Sequence, residues 1–156
     1  MIKKTFVLFL LLIIACTPKV KDCGSTDDPF IQGLTTSSVD YESDAAIACL
    51  GNSLIKCEKA NLHGENEMLA VDIEVLGEVN GVCSLKITYG DQIATEGLKK
   101  YANTYLVCPV DLDQILAAYE NPEQKAGEIA TGAYVLSLMS ASINPETECT
   151  GTFMEQ

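Results

Sequence analysis

Residues 68–89 read MLAVDIEVLGEVNGVCSLKITY, and this stretch decides the fold. Val71, Ile73 and Val75 alternate with Asp72 and Glu74. After Asn80-Gly81, residues Cys83, Leu85, Ile87 and Tyr89 alternate with Ser84, Lys86 and Thr88. A period of two in both arms, with turn residues between them, predicts an antiparallel hairpin with one apolar face. A two-residue Asn-Gly turn would set Val75 opposite Lys86 and Glu74 opposite Ile87, mixing apolar with charged on both faces. A three-residue loop, Val79-Asn80-Gly81 with Gly81 left-handed, shifts the pairing by one. Val75 then meets Leu85, Ile73 meets Ile87, and Val71 meets Tyr89. The other face pairs Glu74 with Lys86 and Asp72 with Thr88. That is the expected register. A hairpin apolar on one side needs a covering layer, which helices must supply.

The segment before it offers one. Between Asp40 and Leu62, Ala46, Cys49, Leu50, Ser53, Leu54, Cys57 and Ala60 fall on one face at helical spacing. Asp40 or Ser43 is the expected N-cap, Gly51-Asn52 a weak point, Lys56 and Lys59 favour the C-terminal end, and His63-Gly64 the stop. Beyond the hairpin, Gly90 to Lys100 reads as a polar loop. Tyr101 to Cys108 reads as a third strand with Ala102, Thr104, Leu106 and Cys108 on one face, and Pro109 ends it or marks an edge. Asp111-Leu112-Asp113-Gln114 has the form of a capping box ahead of a short helix. Asn121-Pro122 opens another, with Ile129, Ala133 and Leu136 on one face to about Ile143. Tyr134, Leu136 and Leu138 also alternate as a fourth strand would; helix is favoured. The expected architecture is α+β, a long N-terminal helix on a three- or four-stranded antiparallel sheet with C-terminal helices, stapled by disulfides. Its layout is similar to cystatin-like architecture, by analogy only.

The N-terminus is of a different kind. Lys3-Lys4 precedes an apolar run, Phe6 to Ala15, followed by Cys16. The run is too short to span a bilayer, and its charge and length are those of a secretory signal. Ile13-Ile14-Ala15-Cys16 resembles the lipobox of prokaryotic lipoproteins. That resemblance implies cleavage before Cys16, lipid on its sulfur, and anchoring outside a prokaryotic membrane by at least two acyl chains. Residues 1–15 are then a signal peptide, 16–38 a lipid-anchored tether rich in polar residues, Gly and Pro, and 39–156 a single domain.

Removing 15 of 156 residues leaves 141, enough for one domain with a core. With Lys3 and Lys4 gone, eight lysines and no arginine face 22 acids, a net charge of −14. Such a surface argues against nucleic acid, whose phosphates need cationic partners. It does not attract anionic headgroups, so the lipid must hold the chain to the membrane. A basic protein or a cation is the partner that an acidic face would suit.

Seven cysteines are present. Lipidation of Cys16 leaves Cys23, Cys49, Cys57, Cys83, Cys108 and Cys149, an even number that fits three disulfides. Cys49 and Cys57, eight apart in the expected helix, lie about 12 Å apart along its axis and must bond elsewhere. The favoured set is Cys83–Cys108, Cys23–Cys49 and Cys57–Cys149. Cys23-Gly24, Cys49, Cys57 ahead of Ala60, Asn80-Gly81-Val82-Cys83 and Cys108-Pro109 form a cysteine rhythm that resembles small exported proteins of archaea with reduced genomes. Those proteins are uncharacterised and supply no function to carry over.

Chemistry is sparse. His63 is the single histidine, without a nucleophile motif beside it, so no Ser-His-acid triad is expected. There is no Cys-x-x-Cys, and Asp111 and Asp113 fit a cap better than a metal. No catalytic residue, metal or cofactor is expected. Asp72, Glu74, Asp91 and Glu96 are the carboxylates whose convergence would favour a carboxylate- or metal-dependent hydrolase. The expected function is a non-catalytic extracytoplasmic binding or interaction module. A structural envelope protein is the alternative, which an exposed apolar patch would disfavour.

Overall fold

The hairpin forms in the expected register, but by a different device. The computed structural model describes residues 19–27, 44–94, 96–143 and 148–156. Strands β3 (Leu69–Val79) and β4 (Val82–Ile93) pair Val71 with Tyr89, Ile73 with Ile87, Val75 with Leu85, and Glu74 with Lys86. The turn is the two-residue Asn80-Gly81, both at positive φ, so Val79 faces Val82. The one-residue shift arises lower down, where the register slips between Val75 and Gly77. Gly77 has φ 77°, which a glycine adopts without a Cβ penalty. The expected three-residue loop is thus a tight turn plus a bulge.

Five strands form one mixed sheet in the order β1-β2-β3-β4-β5. Strand β1 (Lys21–Thr26) runs parallel to β2 (Ala60–Glu65), and the other neighbours are antiparallel. Two of these strands correct the expectations. β1 lies inside the stretch read as tether, and β2 occupies residues read as the end of the first helix. Helix α1 covers only Ala45–Ile55. Cys57, at φ 50°, turns the chain, and Ala60, Leu62 and Gly64 then point inward while Asn61, His63 and Glu65 point out. His63-Gly64 therefore lies within a strand and is no helix stop. The observed N-cap is Asp44, which accepts from the N–H groups of Ala46 and Ile47 and from the Thr26 hydroxyl, tying the end of β1 to the start of α1. Asp40, Ser43, the signal segment and Cys16 lie outside the described residues.

The remaining elements are a 3-10 helix over Glu96–Tyr101, edge strand β5 (Tyr105–Pro109), short helix α2 (Leu112–Leu116), a 3-10 turn over Pro122–Lys125, helix α3 (Ala126–Ile143) and a final 3-10 turn over Thr152–Glu155. The third strand begins at Tyr105 instead of Tyr101, because Tyr101 ends the 3-10 helix and residues 102–104 turn, with Asn103 at φ 58°. The helical reading of 132–143 holds. Ser137, which breaks the apolar run, donates to the Ala133 carbonyl one turn back, so its buried hydroxyl costs the helix little. Asp111 caps α2 by accepting from the Gln114 N–H.

The core lies between the inner sheet face and the two long helices. Ile47, Leu50 and Leu54 of α1 and Ile129 and Tyr134 of α3 are buried with Val71, Ile73, Leu85 and Ile87. Gly51 lets α1 approach the backbone of α3 at Ala126, so the presumed weak point is the place of closest helix packing.

Three disulfides staple these layers: Cys23–Cys49, Cys57–Cys83 and Cys108–Cys149. The first is the expected pair; the other two exchange the expected partners. Cys108 lies opposite Leu85, two places from Cys83. Such diagonal neighbours are about 7–8 Å apart, too far for a Cys83–Cys108 bridge. Cys57–Cys149 fails because α1 ends early and its exit brings Cys57 within 5.6 Å (Cα–Cα) of Cys83. Three disulfides in a small domain suit an oxidising environment. Among the described residues, no helix is long and apolar enough to cross a membrane.

Candidate ligand-binding site

At the end of the sheet where β3 begins and β4 ends, a cavity of about 310 Å³ opens beside α3. Tyr134, Leu138 and Ser142 reach it from α3 at a spacing of four, which puts them on one face. The sheet supplies Leu69, Tyr89 and Ile93. Tyr101 and Leu98 come from the Glu96–Tyr101 coil, and Phe153 from the C-terminal turn. Phe153 stacks on Tyr101 with ring centroids 4.3 Å apart and on Tyr89 at 5.8 Å. The tail that carries Phe153 is held by the Cys108–Cys149 bridge and by paired Val107–Thr150 backbone bonds. The disulfide thus positions one wall of the cavity.

The lining is mostly hydrocarbon and aromatic ring, with one deep polar spot. The hydroxyls of Tyr89 and Tyr134 lie 3.3 Å apart, and Tyr134 is 2% exposed. Burial pushes both phenols well above their usual range, so both stay neutral. An apolar cavity of this size with a placed polar group has the make-up of a small-molecule site. None of these residues stands out in the sequence as a candidate. The signal available is scarcity: the chain has six tyrosines, four phenylalanines and no tryptophan, and four of those ten rings converge here.

The outer face of the sheet is different in kind. Asn61, His63, Asp72, Glu74, Lys86 and Thr88 line a shallow open pocket there. His63 Nδ1 is 2.7 Å from Asp72 and Nε2 is 3.3 Å from Glu65. Hydrogen bonds to Asp72 and then Glu65 raise its pKa above 6.5. Only the protonated ring can donate to both carboxylates at once, and in that form it has no lone pair to offer a metal. Glu74 is paired with Lys86. Asp91 and Glu96 do not line this pocket, so the four carboxylates singled out from the sequence do not converge.

A third feature is acidic. Glu78, Asp111, Asp113 and Glu148 line a cleft of about 520 Å³ beside the Cys57–Cys83 bridge. Among the described residues, no three His, Cys, Asp or Glu side chains are grouped to hold a metal ion. No known protein family, no curated protein and no solved structure matches the chain.

Proposed function

We propose that the protein is an exported, non-catalytic binding module, anchored by lipid on Cys16 to the outside of a prokaryotic membrane. Its ligand is a small apolar molecule with one polar group. The observation that carries this reading is the aromatic cavity with the Tyr89–Tyr134 pair at its base. An inert coat protein has no need of such a cavity, and an apolar wall with neutral hydroxyls offers no group for hydrolysis. The three disulfides and the lipobox-like Ile13-Ile14-Ala15-Cys16 support the compartment and the anchor.

The test uses p-cresol and n-octanol as probes in thermal unfolding and in NMR titration. A ligand that binds only the folded state raises the melting temperature with concentration. p-Cresol should do so and shift the resonances of Tyr134 and Leu138, and Tyr89→Phe should weaken the effect. If neither probe shifts the melting temperature or those resonances at millimolar concentration, the cavity reading fails. Intact mass of the membrane-extracted protein tests the anchor: it should start at Cys16 and carry acyl chains.

A second reading rests on the acidic cleft. Its four carboxylates, with no lysine in the wall, suit a basic protein segment.

A further inference from the structure

The position of the anchor relative to the sheet has a geometric consequence, which rests on the lipid-anchor reading above. Only residues 17–20 separate Cys16 from the first residue of β1. Five Cα steps span at most about 17 Å, so the sheet hangs on a short leash. Because β1 is parallel to β2 and β2 antiparallel to β3, Lys21, Ala60 and Val75 lie level at one end. From that level the hairpin runs on to Val79, four residues and about 13 Å further. An upright sheet on a leash of about 17 Å cannot lift a tip that extends about 13 Å far from the surface it is tied to.

The tip has the surface for such a contact. Val79 and Val82 face each other across the turn and are 43% and 42% exposed. Val20, on the leash itself, is 51% exposed. Two of the eight lysines outside the signal segment, Lys21 and Lys59, lie at this end, Lys21 level with Ala60 and Lys59 packed beside Gly77. Lys21 and Lys59 are neighbours through a 2.9 Å backbone bond. Asp22, Glu58 and Glu78 lie beside them, and Val82 also borders the acidic cleft of Glu78, Asp111, Asp113 and Glu148, so this end carries no positive excess. The contact is therefore one of reach and apolar surface, not of attraction to anionic headgroups.

We propose that the β3–β4 turn is a membrane-seating tip, with Val79 and Val82 in the lipid interface beside the anchor. The aromatic cavity, at the opposite end of the sheet, then faces away from the membrane. Leu69 at its rim lies ten residues along β3 from Val79, about 33 Å.

The absence of tryptophan makes the test direct. Full-length lipidated Val82→Trp and, separately, Met68→Trp are reconstituted into vesicles of mixed zwitterionic and anionic phospholipid with brominated acyl chains. Met68 is 46% exposed at the far end of the hairpin. Bromine should quench Trp at position 82 at least twofold more than at position 68. Val79→Trp repeats the measurement if Val82→Trp does not fold. Flotation with the vesicles is read in parallel. Protein that floats but shows equal quenching, or more at position 68, overturns the seating and leaves the anchor standing. Protein that does not float overturns the anchor and the seating together.

Discussion

Gly51 and Gly132 both sit inside helices, yet the same substitution should move stability in opposite directions. A Cβ on Gly51 would lie 1.8 Å from the Ala126 carbonyl oxygen and 2.4 Å from its carbon. Ordinary contact begins at about 3.4 Å, so α1 and α3 would have to part by more than 1 Å. The obstructing atoms are backbone at the start of α3 and cannot rotate away. Parting the helices loosens Leu50 and Leu54 against Ile129 and Ala130, all buried. Overpacking of this kind costs about 1–3 kcal/mol and sometimes more. Replacing Gly by Ala in a helix returns at most about 1 kcal/mol. Gly51→Ala should therefore lose about 1–2 kcal/mol, the upper part of that cost less the propensity gain. A Cβ on Gly132 meets nothing within 4 Å, so Gly132→Ala keeps the propensity gain and should be up to about 1 kcal/mol more stable. Urea unfolding followed by far-ultraviolet circular dichroism, with disulfides intact, reads both. An unchanged denaturant slope with shifted midpoints isolates stability. A Gly51→Ala midpoint at or above that of the parent would refute the close helix contact.

The His63 clamp predicts a pH dependence. Asp72, then Glu65, raise the folded-state pKa above 6.5, so folding favours the charged ring. Its contribution is complete below about pH 6.5 and is lost as pH rises through the raised value. The group is largely exposed, which limits the whole effect to about 0.2–1 kcal/mol. NMR titration should place the imidazole above 6.5 and show Asp72→Asn lowering it more than Glu65→Gln; a value at or below 6.5 in the parent would refute the clamp. Thr88 offers a separate check. Its Oγ1 is buried and, among the described residues, has no hydrogen-bond partner. Thr88→Val should be neutral to about 1 kcal/mol stabilising in the same urea assay, because an unmet buried hydroxyl costs about 1–3 kcal/mol. A loss above about 1 kcal/mol would mean the hydroxyl is satisfied.

The hairpin was legible because a period of two over two long arms admits one register that segregates apolar from charged. The reason for that register was not, since a bulge at Gly77 and a longer loop give the same pairing further down the strands. β2 was masked by its own side chains. Ala60-Asn61-Leu62-His63-Gly64-Glu65 alternates, but with an alanine and a glycine among its inward positions, and Ala60 also continues the helical face of α1. β1 reads as linker by composition and is a strand because Cys49 and Asp44 hold it. The α3 helix was readable from its 3.6-residue spacing. The cavity was not readable at all. Its rings come from β4, a 3-10 coil, α3 and the tail, segments that only the folded sheet and the Cys108–Cys149 bridge bring together.

The disulfide connectivity bears on how the chain reaches this fold. Of the 15 pairings open to six cysteines, the fold uses the one in which neighbours bond in order: 23 with 49, 57 with 83, 108 with 149. No bridge encloses or crosses another. A chain that emerges into an oxidising compartment N-terminus first presents each cysteine pair in full before the next begins. Each bond can close with the most recently exposed thiol, and the connectivity asks for no later exchange between bridges.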